Sequence, residues 1–306
     1  MLTPLSFLAK SAPSQTLFIN QTAIYIHHTT MKPTVQKSLI AGAFLLSAVA
    51  AQAALPIIAY SQNFDSFPNN TNALGDGSSI NQSGASPAFA ASVQGGALRL
   101  TNDAFTGEQS SFILPNVPAA AGGWMLTFNI TIIDADPGAN PADGMSINYG
   151  ALTGSLSGNA AGSEHGWTQT DSHIAYQIDT WENGNVDNGL RIANYATGSE
   201  VLVAAQQGII LNDNTTVNGA VTLSWDPVNG ASMNTTGFVT NVNFVNVATP
   251  GFSGNPAHLF AFAARTGFAE ETLLLDNVVL SVVPESSSSL LTVLAGLGLM
   301  SIRRRK

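Results

Sequence analysis

No cysteine occurs in the 306 residues. That excludes disulfides, thiolate metal sites and cysteine nucleophiles, although a large core can fold without bridges in any compartment. Basic residues are almost as scarce. Between residues 54 and 283 only Arg99, Arg191 and Arg265 stand against eighteen acidic residues, a formal charge of −15. Such a surface repels nucleic acid and anionic membranes, and it is compatible with calcium and neutral glycans. Helical periodicity is missing too, since outside the two termini no apolar pattern of period 3.6 lasts more than a turn or two. The chemistry-bearing motifs Gly-x-Ser-x-Gly, His-Glu-x-x-His and the phosphate loop are absent. The histidines of this stretch, His165, His173 and His258, are scattered, as packed or surface residues are. None of these features points to an enzyme.

What is present is a series of short runs rich in β-branched and aromatic residues: 98–100, 124–133, 145–149, 174–180, 189–193, 221–225, 238–247, 258–264 and 272–283. Clusters of Gly, Asn, Pro and Asp separate them, which is the punctuation of a sandwich or barrel, and no repeat of constant period is visible. The reading is therefore all-β. A domain of about 230 residues can bury roughly 70% of its unfolded surface without staples.

The two ends differ from this body. Met31 opens a segment with Lys32 and Lys37, an apolar run over 39–51 and the small-x-small sequence Ala51-Gln52-Ala53. This is the pattern of a secretory signal peptide, with Met31 as the expected start and a mature chain that begins near Ala54. The run of about 13 residues is short of the roughly 20 needed to span a bilayer. At the other end, Val283-Pro284-Glu285-Ser286 is followed by a serine run, an apolar stretch over 290–302 and Arg303-Arg304-Arg305-Lys306. This tail resembles the PEP-CTERM sorting signal of Gram-negative, exopolysaccharide-producing bacteria, with Ser286 where that signal has its second proline. The resemblance implies transient membrane insertion of a short C-terminal helix, recognition by an exosortase, and delivery to the cell surface or extracellular matrix. A plain C-terminal anchor is the alternative. The expected division is thus 1–53 extension and signal peptide, 54–283 domain, and 284–306 sorting tail.

Within the domain one stretch is richest in hard oxygen ligands. Ile174-Ala175-Tyr176-Gln177-Ile178-Asp179-Thr180 alternates as a strand, then breaks into Trp181-Glu182-Asn183-Gly184-Asn185-Val186-Asp187. The break gathers the Asp179 carboxylate, the Trp181 carbonyl, the Asn183 amide and the Asp187 carboxylate, which are ligand types that Ca²⁺ prefers.

This stretch resembles the metal-binding segment of the legume (L-type) lectins, and it implies one calcium ion held by Asp179, Trp181, Asn183 and Asp187. Where the family has a leading Glu that bridges to a transition metal, this chain has Gln177, and no His follows within a dozen residues, so a second metal is not implied. Four further segments fall in family order over 96–280. They are Gly96-Ala97-Leu98-Arg99-Leu100-Thr101 with Gly107, Pro141-Ala142-Asp143-Gly144-Met145-Ser146-Ile147, Val221-Thr222-Leu223-Ser224-Trp225-Asp226, and Phe260-Ala261-Phe262-Ala263-Ala264-Arg265-Thr266-Gly267 with Glu270 or Glu271 beyond. The resemblance implies a concanavalin A-like jelly-roll sandwich. It also implies carbohydrate binding by Asp143 and Asn183, with a cis bond between Ala142 and Asp143. Read without the family, Asp143-Gly144 is equally an Asp-Gly turn between strands. The loop 150–166 is glycine-rich and suited to a backbone contact with sugar, and Trp167 and Trp181 suit either stacking on a pyranose or filling the core.

Two other readings compete with a calcium-dependent glycan-binding protein. One is a structural surface protein on the same fold that binds no sugar. The other is a jelly-roll glycoside hydrolase, whose Glu-x-Asp-x-x-Glu strand needs a carboxylate nucleophile where Gln177 stands.

Overall fold

Between Trp124 and Ile133 every second residue is buried, with Trp124, Leu126, Phe128, Ile130 and Ile132 inward and Met125, Thr127, Asn129, Thr131 and Ile133 toward solvent. Side chains alternate across an extended backbone, so this pattern builds a strand with one dry face. The same logic recurs along the chain. A computed structural model describes residues 55–84, 91–134, 141, 143–152, 171–181, 189–207, 216–267 and 269–282, all within the unit Ala53–Lys306. Both terminal segments, residues 153–170 with His165 and Trp167, and Ala142, Glu182, Asn183 and Asp187 lie outside the described residues.

In chain order the strands are β1 (Ile57–Gln62), β2 (Ser79–Gly84), β3 (Ser92–Gln94), β4 (Ala97–Thr101), β5 (Glu108–Ile113), β6 (Trp124–Ile133), β7 (Gly144–Gly150), β8 (His173–Asp179), β9 (Gly189–Asn194), β10 (Val201–Gln207), β11 (Thr216–Asp226), β12 (Gly230–Thr236), β13 (Asn243–Val247), β14 (Leu259–Arg265) and β15 (Thr272–Val282). They form two antiparallel sheets. One runs β13-β12-β11-β6-β15-β4-β3, with β1 added on β15, and the other runs β10-β9-β8-β7-β14-β5-β2. The described helical structure is a single 3₁₀ turn, Pro118–Gly122, and among the described residues no helix is long and apolar enough to cross a membrane.

The sheets meet along an aromatic seam. Trp124 on β6 packs edge-on against Phe260 on β14 (ring centroids 4.9 Å) and against Tyr149 on β7 (5.3 Å), and Phe128 meets Phe262 at 5.1 Å. The Tyr176 hydroxyl donates to the Ser224 carbonyl across the sandwich at 2.6 Å, so its polar tip is satisfied inside an apolar layer. Burial of one such ring contributes roughly 1.5–3 kcal/mol. Together these contacts fix the register of both sheets, because a one-residue slip would turn an entire inward row outward.

One expected strand is shorter than its sequence predicts. Residues 238–247 are rich in Phe and Val throughout, yet only Asn243–Val247 is extended. Gly237 adopts φ +84° and the Asn241 side chain accepts the Phe238 N–H at 3.1 Å, so a side-chain-closed turn replaces the first half of the run. Phe238 is still buried, its ring lying against Gly219, where a Cβ would approach to 2.3 Å.

Candidate functional site

The Asp-Gly pair is part of a ladder and not a hairpin turn. Gly144 opens β7 and pairs with Asp179 on β8 and with Arg265 on β14. Its φ is +120°, and a Cβ there would lie 2.2 Å from the Ile178 carbonyl, so only glycine fits between the two neighbours. Asp143 is anchored at this point by its own backbone. Its N–H donates to the Arg265 carbonyl (3.0 Å), and its carbonyl accepts the Thr180 N–H (3.2 Å). The structure thus brings Asp143 and Asp179, both expected site residues, to the same end of adjacent strands.

Each of these carboxylates is already held by an arginine. Arg265 Nε donates to Asp143 Oδ2 at 2.6 Å, and the Arg191 guanidinium donates to Asp179 Oδ2. The other Asp179 oxygen accepts the Trp181 N–H at 3.1 Å. Asp179 is fully buried and Asp143 is 5% exposed. Burial pushes the Asp143 carboxyl above the ordinary carboxylate range, and Arg265 offsets part of that rise. Trp181 is half-buried, at the start of the expected calcium loop.

The Thr266-Gly267 segment has a local explanation. The Thr266 hydroxyl accepts the Glu108 N–H at 2.9 Å and donates to the Phe105 carbonyl at 3.0 Å, tying the end of β14 to the turn before β5. A Cβ on Gly267 would come within 2.6 Å of Asp143 Oδ1, so glycine here leaves room for that carboxylate.

Close to Asp143 lies Glu271, which the sequence marks only as one of two acids beyond Gly267. It is fully buried, and neither of its carboxyl oxygens has a hydrogen-bond partner among the described residues. Burial pushes its carboxyl up to about 8, and the negative charges of Asp143 and Asp134 add to the rise. Against this rise the Thr180 hydroxyl, the second-largest influence after burial, and the Gly144 N–H favour the ionised form, without completing a hydrogen bond. Burial therefore favours the neutral form of Glu271 near pH 7.

The remaining expected residues divide cleanly. Gln177 is buried on the outer face of β8, with its amide donating to the Tyr195 hydroxyl at 3.3 Å. His173 stacks on Tyr195 (4.3 Å, 9°), and His258 packs between Tyr149 and Phe252. Both histidines are thus packed residues. Asn183 and Asp187 lie outside the described residues, and among the described ones no group of three or more His, Asp or Glu is placed to hold a metal ion. Sequence reasoning missed Arg191 and Arg265. Their signal was scarcity, because a domain with three basic residues and buried acids will spend those residues on the acids.

No protein-family model matches the chain, and no curated protein matches it. Solved structures do match. A seed lectin of Lotus tetragonolobus superposes with TM-score 0.53 at 13% identity, covering 74% of this chain and 100% of the lectin. Lectin UEA-II in complex with galactose gives 0.51 at 16%, again covering 74% and 100%. The lectin of Bauhinia forficata in complex with GalNAc gives 0.50 at 17%, covering 72% and 97%. At such identities the likeness is one of fold, and the chain has the concanavalin A-like sandwich of the legume lectins.

Proposed function

We propose that residues 54–283 form a secreted, non-enzymatic carbohydrate-binding module that takes neutral glycan at the Asp143 end of the seven-stranded sheet. In this reading the terminal segments carry the chain out of a Gram-negative cell. An exosortase then processes the PEP-CTERM-like tail after its transient membrane insertion, and the module meets exopolysaccharide at the cell surface or in the extracellular matrix. The observation that carries the proposal is the placement of Asp143. Its backbone is clamped on both sides by the end of β8 and by β14, Gly267 leaves room for its carboxylate, and the carboxylate has a fixed direction. A carboxylate so oriented is an acceptor for sugar hydroxyls, with Asn183 as the expected second contact. The galactose and GalNAc of the superposed lectins are compatible with the same chemistry.

Calcium is the finer part of this reading. Asp179, the Trp181 carbonyl, Asn183 and Asp187 would hold it, and the ion would contribute a fixed charge that orders the loop. The described residues do not form a ready centre for it, because both Asp179 oxygens already have partners. A metal therefore has to compete with Arg191.

A second reading, a structural surface protein on the same fold, is favoured by the 5% exposure of Asp143. Hydrolysis has no support at Gln177, whose neutral amide supplies no nucleophile. The experiment that separates the first two is retention on neutral polysaccharide columns. Asp143→Asn and Arg265→Gln both break the same ion pair, and both are assayed well below their melting temperatures. Sugar binding through Asp143 predicts that Asp143→Asn loses retention at least tenfold while Arg265→Gln keeps most of it. Equal loss in both, or no retention by the wild type, supports the structural reading.

A further inference from the structure

The last strand, β15, connects two ends of the sandwich that differ in chemistry. Its first residue, Thr272, follows the buried Glu271 and pairs with Ile133, at the end where Asp143 and Asp179 lie. Across its 11 residues, roughly 35 Å of extended chain, β15 reaches Val282, which stands between Trp124 on β6 and Ile57 on β1. Trp124 in turn pairs with Trp225, beside the β11–β12 turn.

Among the described residues the exposed large apolar side chains gather at this second end, all but Val239 and Val245. Leu55, Ile57 and Ile58 lie where β1 begins, and Val228 is 88% exposed in the β11–β12 turn. On the other sheet Val201 and Leu202 open β10 opposite Asn194 and Ala193. The Asn194 amide donates to the Pro250 carbonyl, and the neighbouring Thr249 hydroxyl accepts the Trp225 indole N–H, so both sheets present apolar side chains at the same end. The three arginines pair in the other half, Arg99 with Leu274, Arg191 with Gln177 and Arg265 with Gly144. Single exposed apolar residues are ordinary, but apolar residues collected at one end mark a contact surface.

Where the chain leaves this surface indicates what meets it. Val282 is followed by residues 283–289, then by the apolar stretch 290–302 and Arg303-Arg304-Arg305-Lys306. Seven residues reach at most about 25 Å. A tail held in a bilayer therefore keeps this end, and not the Asp143 end, beside the lipid.

We infer that this end of the sandwich is a lipid-contact surface. While the tail is inserted, Ile57, Ile58, Val228 and Leu202 seat against the membrane interface, and the Asp143 end is displayed on the side away from it. The contact is apolar and has no arginine, so zwitterionic lipid suffices and salt does not release it. The inference rests on the reading of the tail as a membrane segment, and it stands whether or not Asp143 binds sugar.

The chain contains no cysteine, so single-cysteine variants carry a fluorophore at one chosen place. Ile58→Cys (65% exposed) and Val228→Cys report the surface, and Val239→Cys (70% exposed), beyond the far end of β12, is the control. Each is made in residues 54–306, labelled with an environment-sensitive dye and reconstituted into phosphatidylcholine vesicles with or without a nitroxide on the acyl chains. Flotation with the vesicles reports the tail. All three variants are expected to float. The labels at 58 and 228 are expected to shift to shorter wavelength and to lose at least half of their emission to the nitroxide, in low and in high salt, while the label at 239 does neither. Flotation with the three labels behaving alike overturns the inference and leaves the reading of the tail intact. Shielding at 58 and 228 from an aqueous quencher, without loss to the nitroxide, also overturns it, because a second copy or the tail itself then covers the surface. Failure to float overturns the reading of the tail, and the inference with it. Val228 lies in an exposed turn, so its variant decides alone should Ile58→Cys fail to fold.

Discussion

The two sheets of this sandwich treat their outer faces differently. In the eight-stranded sheet β6 and β11 alternate strictly between a buried inner row and an outer row in which Thr, Asn and Ser dominate, with Met125, Ile133 and Ala220 among them. In the seven-stranded sheet β7 and β8 are buried at every position and β14 at all but its first. Its outer face carries small and polar residues, among them Ser146, Asn148, Ala175, Gln177, Ala193, Ala261 and Ala263, and ends in the two Asp–Arg pairs. A soluble coat asks for no such investment. Buried polar groups on an outer face cost stability unless each is satisfied, so the seven-stranded sheet is where function is to be sought.

The comparison is sharpened first by mutations of unequal depth. Trp124→Ala removes the ring at the centre of the seam and is expected to destabilise by about 3–5 kcal/mol in denaturant melts. Arg265→Met leaves Asp143 buried and unpaired, which costs about 3–5 kcal/mol when a buried pair is broken on one side. If this variant melts like the wild type, the seven-stranded sheet is no more demanding than its partner. Next comes Glu271. Its folded carboxyl is raised from 4.5 to about 8, so between those values the folded chain keeps a proton that the unfolded chain has released. Stability from this group is present at low pH, falls as pH rises through that window and levels off above it. Glu271→Gln is expected to flatten the fall and to melt higher than the wild type above pH 8, while matching it near pH 4. At the small end, Asn129→Ala on the solvent face of β6 is expected to change stability by less than about 0.5 kcal/mol.

How much of this was legible in the sequence depends on the face. The strands of the seam could be read because Trp, Phe, Ile and Leu alternate with polar residues from Trp124 to Ile133 and across the second half of β11. Strands β2, β5 and β12, with sequences such as SINQSG and GASMNTT, carry little β-branched or aromatic signal. They are strands because an adjacent ladder recruits their backbone groups, and pairing across the chain leaves no local pattern. At the candidate site Asp-Gly and the strand-to-loop break pointed to Asp143 and Asp179, which the fold brings to one end of adjacent strands. Their arginine partners were not, because a diagonal pair such as Arg191 with Asp179 exists only once the register of β8 on β9 is set. The same holds for Glu271, whose raised carboxyl depends on what folds over it.

The arginines also offer the most direct measurement. Arg99 lies on the outer face of β4 in the eight-stranded sheet, two residues along from Ala97 and paired with Leu274, both of which line a groove of about 400 Å³ together with Asn129, Thr131, Asn218 and Asp276. Arg265 donates from Nε to Asp143 in the other sheet. In a protein labelled with ¹⁵N-arginine, the two Nε–H resonances report the two surfaces separately during titration with neutral oligosaccharides. Binding at Asp143 predicts a saturable shift of the Arg265 signal with Arg99 unmoved. A shift of Arg99 alone, or saturable binding that leaves Arg265 in place, contradicts the assignment of function to the seven-stranded sheet.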